Sequence, residues 1–521
     1  MCGIVGAINF DNSSVVHDLC NRMERRGRDS SGIVAISRAS MVVKRADFRL
    51  GRLLDSMPSE KFSSFFAHSR LITNSINENQ PVKTEKVYVF HNGIILNKPE
   101  IEGQTKTLTS QTIDSVAINL LVEDWLSESV TSNQDLDYEE LEKSLARIEG
   151  TVSSLIYVPH LSLCLAYSNN GSLFTTELNE GHLFCSERHT LSKYSSEIFQ
   201  IKGLLSFTVN GDGWKNLDDN EIELKGSNKR LLAPLVYKES KAKQLQYDNL
   251  ANRLRRCSKC ILPETMPFIT FDGMGVCNYC NNYQKSEVKG SLVALNKLVD
   301  PYRRHGKAND VIIPFSGGRD SVVSLHLAVK ELGLNPVTYT YDWGMVTDLG
   351  RRNISLMCQE LGVENIIVAA DIHKKRANIR KNLKAWLKNP HLGMLNILMA
   401  GDKHFFRYVE EIKRETGVRL NLWGVNPLET THFKSGFLGM PPNLGEKKVY
   451  NSTLSSQLEY HKLRCKQMLL NPSYLNSSLI DTYIGEYYRS VYKKTDYFHV
   501  FDYWKWNEGK VEAILDTYGW E

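Results

Sequence analysis

Short apolar runs separated by polar or glycine-bearing turns fill roughly the first 235 residues. GIVGAI, KVYVFHNGII, TVSSLIYV and LSLCLAYS have the length and composition of strands. VVHDLCNRMERR and TIDSVAINLLVEDWL instead repeat apolar residues every three to four positions, the period of a helix packed on one face. The mixture predicts an α+β layered domain over 1–235. From about 290 the pattern changes. DVIIPFSGGRDSVVSLHLAVKELG reads as a buried strand, a glycine turn and an amphipathic helix. NPVTYTYDW reads as a second strand, LGRRNISLMCQELGV as a second helix and NIIVAA as a third strand. Strands alternating with helices predict an α/β domain with a doubly wound parallel sheet over 290–521. Beyond about 375 the chain reads as mostly helical and rich in aromatics. Residues 236–256 are polar and basic and read as a linker helix with a solvated face, phosphate contact being the other use of such a charge run. A short cysteine-bearing module, 257–285, follows the linker. No internal repeat or low-complexity tract interrupts this order.

Composition narrows the class. A chain of 521 residues suggests about three domains. Hydrophobic residues at 42% and charged residues at 24% are the balance of a globular protein. Lys plus Arg is 64 and Asp plus Glu is 59, and a net charge of only +5 counts against a dedicated nucleic-acid binder. No apolar run approaches the ~20 residues needed to cross a bilayer. MCGIVGAINFDNSS lacks the basic and long apolar regions of a secretory signal. Four of the ten cysteines form two tight pairs and the rest are scattered, which favours metal binding in a reduced compartment over a disulfide framework. The expected location is cytoplasmic.

The first chemistry lies at the second residue. With Met1 removed, Cys2 carries a free α-amine beside its thiol, and an amine with a pKa of about 8 can take the thiol proton near neutrality. Nucleophile and base then share one residue, and attack on a carboxamide gives a thioester and ammonia. Asn92 and Gly93 of VFHNGII supply a side-chain amide and a backbone N–H suited to the developing oxyanion. These pieces resemble the class II glutamine amidotransferases, which are Ntn hydrolases with an αββα sandwich. MCGIVGAI, RRGRDSSGI (25–33), AHSRLITNS (67–75), NQP (79–81), HNGII (91–95) and TIDS (112–115) occur in that family's order. The resemblance implies Cys2 as nucleophile and Asn92 with Gly93 as oxyanion hole. It places Arg70 on the glutamine α-carboxylate, where a planar guanidinium can bond both oxygens, Asp114 on the α-ammonium, and Thr73 in the same site. Many relatives have Trp or Leu and then Ala after the arginine, and often His after the threonine, whereas this chain reads Arg70-Leu71-Ile72-Thr73-Asn74.

Cys257-x2-Cys260 and Cys277-x2-Cys280 have the spacing of two knuckles that close a tetrahedral thiolate site. Four protein ligands leave no open position, so structural Zn2+ in a ribbon-like module is expected. An iron–sulfur cluster is the competing metal, and free or redox thiols are the reading without one.

Ser316-Gly317-Gly318-Arg319-Asp320-Ser321 sits between a strand and a helix, where backbone N–H groups face an anion. Ser316 and Ser321 add hydroxyls, and Asp320 beside a phosphate suits recruitment of Mg2+. No lysine follows the glycines, so this is not a Walker A loop. The run resembles the PP-loop of the ATP pyrophosphatase superfamily, SGGxDS, which implies cleavage of ATP to an adenylate and pyrophosphate. Asp342, at the end of the second strand, is a further candidate for the nucleotide site.

Together the halves imply glutamine and ATP as substrates, ammonia carried through an enclosed passage, and an acceptor activated by adenylation. The layout is similar to asparagine synthetase. CSKCILPETMPFITFDGMGVCNYC, SGGRDS and GVNPLETTHF resemble the N-acetyl sugar amidotransferase family over about 250–521. That resemblance implies a nucleotide- or lipid-linked N-acetyl sugar converted to an acetamidino sugar in surface polysaccharide synthesis, although many members of that family take ammonia from a separate glutaminase. Asn426, Glu429, His432 and Lys434 form a polar cluster that either contacts the acceptor or lies in a surface loop. The aromatic tail YIGEYYRSVYKKTDYFHVFDYWKW reads as core before it reads as a stacking surface. Three other readings stand beside this one: an asparagine synthetase-like ligase amidating a carboxylate, distinguished by an amide product; a tRNA-modifying PP-loop enzyme, disfavoured by near-neutral charge and the glutaminase motifs; and a scaffold with a dead glutaminase, disfavoured by intact Cys2, Asn92 and Gly93.

Overall fold

The computed structural model describes residues 2–37, 40–58, 61–72, 78–132, 136–179, 181–210, 221–225, 241–283, 288–304, 308–426, 433–442 and 454–521. Its first thirteen strands are β1 (Gly3–Ile8), β2 (Ser30–Ile36), β3 (Met41–Ala46), β4 (Ser64–Arg70), β5 (Val82–Lys83), β6 (Tyr88–Ile95), β7 (Gly150–Val158), β8 (Leu163–Ser168), β9 (Phe174–Leu178), β10 (Gly181–Cys185), β11 (Phe199–Gln200), β12 (Gly203–Thr208) and β13 (Glu221–Leu224). They build an eight-stranded sheet, β11-β9-β10-β1-β4-β2-β3-β13, and a five-stranded sheet, β12-β8-β7-β6-β5. The central strands of both sheets are buried on both faces, and the strand alternation shows how. Val5 and Ala7 of β1 pack with Val16, Leu19 and Met23 of the Ser13–Met23 helix. Ile4 and Ile8 point the other way, into a layer shared with Phe66, Phe90, Leu155 and Tyr157 of the two sheets. Val89 and Val152 face outward again, onto Ala117, Ile118 and Leu121 of the Val116–Ser132 helix. Period-two side chains on facing sheets thus give four layers, helix–sheet–sheet–helix.

The remaining strands, β14 (Val311–Pro314), β15 (Pro336–Asp342), β16 (Glu364–Ala369), β17 (Leu420–Trp423) and β18 (Tyr497–His499), form an all-parallel sheet in the order β16-β15-β14-β17-β18. Val311 and Ile313 face one apolar layer with Val323, Met357, Leu422, Val511 and Leu515, whereas Ile312 faces the other with Tyr339, Val409, Ile412 and Trp423. The chain leaves β14 first to one side and later to the other, and such a switch point opens a crevice at the carboxyl ends of the strands. The stretch beyond 375 is not simply helical: β17 and β18 complete the sheet. RLNLW and DYFHV were hidden because strands of four and three residues are too short to show a period, and the second lies inside an aromatic tail. Between the two layered regions run the exposed Lys241–Arg253 helix and the paired cysteine knuckles. No helix among the described residues is long and apolar enough to cross a membrane.

The two regions meet along edge strand β16, whose outer N–H and C=O groups would otherwise lack strand partners. Glu187 accepts from the Ile367 N–H at 3.2 Å, and Arg26 Nη1 donates to the Asn365 carbonyl at 3.4 Å. Arg26 and Arg25 also donate to Glu187, at 2.9 and 2.7 Å, and Arg25 reaches Glu415 of the neighbouring helix at 2.6 Å. Burial raises the cost of charge on Glu187, but Arg25 and Arg26 outweigh it and hold its pKa down at about 2 against a usual 4.5. Because the folded value lies below the unfolded one, this stabilisation is complete above pH 4.5 and is lost as pH falls towards 2. Glu187→Ala, which leaves the buried Arg26 without a carboxylate while Arg25 keeps Glu415, should cost about 3–5 kcal/mol in denaturant unfolding at pH 7. Glu187→Gln should flatten the acid limb of the stability profile.

Candidate active sites and cysteine cluster

Cys2 opens β1 and is buried, 8% exposed. Its backbone N donates to Asn92 Oδ1 at 2.8 Å, its carbonyl accepts from Arg26 Nε at 2.8 Å, and its Sγ lies 3.8 Å from the Leu71 carbonyl oxygen. Asn92 Nδ2 is buried and has no hydrogen-bond partner among the described residues. The Asn92 side chain therefore orients the nitrogen of Cys2 through its oxygen and keeps its N–H donors for something else. Gly93 is a necessity at the next position, since a Cβ there would stand 1.8 Å from the Thr151 carbonyl oxygen of β7.

The scattered motif pieces come together around this residue. Asp29 donates its N–H to the Arg70 carbonyl at 3.0 Å and accepts from the Ile72 N–H at 2.9 Å, fixing the loop that faces the thiol. Gln80 accepts from the His91 N–H at 2.6 Å and donates to the His91 carbonyl at 3.0 Å. Ser115 joins His91 Nδ1 at 2.8 Å. Burial pushes His68 down to about 3 and also lowers His91, so both rings are neutral struts. Arg70 is buried at the end of β4 and donates to the Glu78 carbonyl. Asp114 accepts from the Ile95 N–H at 3.0 Å and from Ser115 Oγ at 3.3 Å, so its carboxylate also anchors the end of β6. Thr73 lies outside the described residues.

The second site lies at the switch point of the parallel sheet. Ser316–Ser321 leads from β14 into the Arg319–His326 helix. Gly317 adopts φ +74°, and a Cβ there would meet the Gly350 carbonyl oxygen at 2.6 Å. Ser321 Oγ donates to the Gly318 carbonyl at 2.8 Å and lies 3.3 Å from Ser316 Oγ, which folds the turn over the helix N-terminus. The loop borders a cavity of about 700 Å³, also lined by Tyr341, Trp343, Phe405, Trp423 and Trp506. Ser316, Gly318, Arg319, Asp320 and Ser321 all face it, and so does Asn426, one of the polar-cluster residues. Glu429 and His432 lie outside the described residues, as does the side chain of Lys434.

Asp342 is a correction. It is buried and absent from the cavity wall: Oδ2 accepts from Arg351 Nε at 2.9 Å and Oδ1 from the Gly344 N–H at 2.9 Å. Its partners turn the carboxylate away: Arg351 of the Asp348–Glu360 helix and the Gly344 N–H hold its two oxygens, while Tyr341 and Trp343 on either side reach the cavity. Sequence reasoning also missed Trp506 and Trp520, which bond Asp320 Oδ1 and the Gly317 carbonyl, both at 2.8 Å. The aromatic tail was the available signal, but an indole N–H with a remote partner leaves no periodic trace.

Cys257, Cys260, Cys277 and Cys280 place their sulfurs within 4.8 Å of one another. Cys257 and Cys280 are 3.9 Å apart and Cys260 and Cys277 3.6 Å. Four thiolates ~2.3 Å from one tetrahedral ion lie ~3.8 Å apart, so the spacing fits a single metal. A cluster that gives each thiolate its own iron needs a wider set. Backbone N–H groups of Lys259 and Cys277 donate to Cys257 Sγ at 3.4 and 3.2 Å, as they do to thiolates.

No known protein-family model matches the chain. Glutamine–fructose-6-phosphate aminotransferase of Helicobacter pylori is 30% identical over 236 residues, covering 43% of this chain and 38% of that protein. The enzyme of the same name from Agrobacterium fabrum is 28% identical over 226 residues, 41% of this chain and 34% of that protein. This chain spans little more than a third of the length of these relatives. This similarity indicates a class II (Ntn) glutamine amidotransferase domain within the chain. A solved glutamine phosphoribosylpyrophosphate amidotransferase from B. subtilis, complexed with ADP and GMP, is 13% identical with a TM-score of 0.34 over 70% of this chain and 90% of that one, too slight an overlap to bear on the fold.

The amidotransferase domain therefore brings its thiol to the edge of the parallel sheet, while Asp342 serves the sheet itself. Asp342→Ala should lower unfolding free energy by about 1–3 kcal/mol, because Arg351 loses its buried partner and keeps only the exposed Asp348 at 3.0 Å, and should leave ligand affinity at the cavity within twofold when measured on the folded fraction.

Proposed function

We propose that the chain is a glutamine-dependent, ATP-consuming amidotransferase in which Cys2 frees ammonia and the Ser316–Ser321 loop holds ATP for adenylation of an acceptor. The observation that carries this reading is an apolar bridge between the sites. Leu71, whose carbonyl lies 3.8 Å from the Cys2 thiol, packs in one cluster with Ala369, Ala370, Ile372 and Tyr341, and Tyr341 lines the loop cavity. An apolar wall suits the transit of neutral ammonia, which loses its nucleophilicity when protonated.

The chemistry divides between the ends of that bridge. Once Met1 is removed, the Cys2 amine, oriented by Asn92 Oδ1, takes the thiol proton. The thiolate attacks the glutamine carboxamide while Asn92 Nδ2 and the Gly93 N–H stabilise the oxyanion. Collapse expels ammonia, and water frees glutamate from the thioester. Arg70 and Asp114 hold the glutamine backbone groups in this reading. At the other end an acceptor oxygen attacks the α-phosphate of ATP and pyrophosphate leaves. Ammonia then adds to the activated carbon and AMP departs. Asp320 fits a role as magnesium ligand, since Oδ2 accepts no hydrogen bond among the described residues while Oδ1 is held by Trp506.

The acceptor we infer is an N-acetyl sugar converted to an acetamidino sugar. The aromatic walls of the cavity offer faces for a sugar or a base. The four cysteines would hold structural zinc, which ties together two knuckles that each carry only their own isolated bridge, Arg256–Pro263 and Phe271–Cys277.

Cys2→Ala should abolish formation of acetamidino product and its accompanying AMP from ATP, an acetamido sugar and glutamine, yet retain both when ammonium replaces glutamine. Glutamine-dependent product from that variant would exclude Cys2 as the nucleophile, and ADP with phosphate in place of AMP would exclude adenylation. Elemental analysis of freshly purified protein should find about one zinc per chain. Iron with a visible charge-transfer band would replace that assignment.

A further inference from the structure

The segment from Trp506 to Glu521 forms a strap across the phosphate loop. It is built on the core: Val511 and Leu515 of the Glu508–Asp516 helix are buried against Val322, Val323 and Leu325, which follow the loop. Its far end is tied to the Asp348–Glu360 helix, where Arg352 donates to both Glu521 carboxylate oxygens at 2.8 and 3.2 Å and Asn353 donates to the Glu521 carbonyl at 2.7 Å. From this frame two indoles reach the loop. Trp520 Nε1 donates to the Gly317 carbonyl and Trp506 Nε1 to Asp320 Oδ1, both at 2.8 Å. Arg319 faces Glu508 and Glu512 at 3.5 and 4.0 Å, exposed pairs that add little.

Each indole bond has a directional consequence. In a trans peptide the C=O and the following N–H point in opposite directions. Fixing the Gly317 carbonyl on Trp520 therefore fixes the Gly318 N–H on the other side, where its partner is a distant Ser316 Oγ at 3.4 Å and where the cavity opens. That N–H stands at the helix N-terminus, aimed for a phosphoryl oxygen. Fixing Asp320 Oδ1 on Trp506 commits one carboxylate oxygen and sets the rotation of the group, so that Oδ2 is the oxygen left for a cation. The Gly317–Gly318 turn has no side chains of its own to hold it, and its conformation depends on what touches its backbone.

We propose that Trp520 and Trp506 are positioning residues of the phosphate loop, the first aiming the Gly318 N–H at the anionic oxygens of a nucleoside triphosphate and the second aiming Asp320 at its magnesium ion. This rests on the reading of the loop as an ATP site. The two roles separate by metal. Trp520→Phe, which keeps a ring and removes the N–H, weakens ATP binding about tenfold with and without Mg2+, the loss expected for one hydrogen bond aligning a charge-binding group. Trp506→Phe, which keeps an aromatic ring on the cavity wall, raises the Mg2+ concentration needed for half-maximal binding about tenfold, over and above any change in metal-free ATP binding. Calorimetric titration of the full-length wild type and both variants with ATP, in EDTA and across a Mg2+ series, reads both effects, with far-UV circular dichroism as the control for folding. Wild-type affinities in both variants overturn the proposal while leaving the ATP site standing. Equal losses with and without Mg2+ in Trp506→Phe make that indole a structural prop and overturn its assigned role. A wild-type chain that binds no ATP removes the nucleotide reading itself, and the proposal with it.

Discussion

One guanidinium holds the molecule's two layered regions in register. Arg26 donates to the carbonyl of Cys2, to Glu187 and to the carbonyl of Asn365 on the parallel sheet, and it is 1% exposed. A buried charge of this kind persists only where partners surround it, and here they come from three separate parts of the chain. Cys2, the end of the eight-stranded sheet and the edge of the parallel sheet are thereby fixed to a common point. The same contacts cover the otherwise open edge of β16, so the ion cluster both joins the halves and shields a strand from pairing elsewhere.

From that seam the functional parts follow by short steps. Asn365 Oδ1 accepts from Thr340 at 3.2 Å, and Thr340 also donates to the Phe315 carbonyl at 2.7 Å, immediately before the phosphate loop. Beside this polar chain runs the apolar cluster from Leu71 to Tyr341. The two regions thus share a wall, polar where backbone must be fixed and apolar where a small neutral molecule would pass. The loop at the far side is stabilised from behind by the Trp506–Glu521 strap, so its backbone is set by neighbours rather than by its own side chains.

Local features of the chain were the legible ones. The α+β layering of the first region and the first three parallel strands follow from alternation and from glycine turns, whereas the four-layer order came from the family resemblance. The motif pieces pointed to one site because each has a distinct local signature, and the structure draws HNGII, NQP, RDSS and TIDS around Cys2 by hydrogen bonds. What stayed hidden was non-local. β17 and β18 are too short to carry a period. Asp342 stands between two cavity residues in sequence, yet its carboxylate is held by Arg351 and the Gly344 N–H. Arg26 and Glu187 are 161 residues apart, and nothing in either neighbourhood marks them as partners. Trp506 and Trp520 acquire meaning only once the tail lies across the loop.

The most direct measurement is peptide mass mapping after exposure of the protein to an electrophilic glutamine analogue such as a diazoketone. The account predicts an amino-terminal peptide that starts at Cys2, carries the adduct on that thiol, and loses it when excess glutamine competes, while the other nine cysteines of the ten stay unmodified. A peptide that retains Met1, or an adduct on any other cysteine, would contradict it.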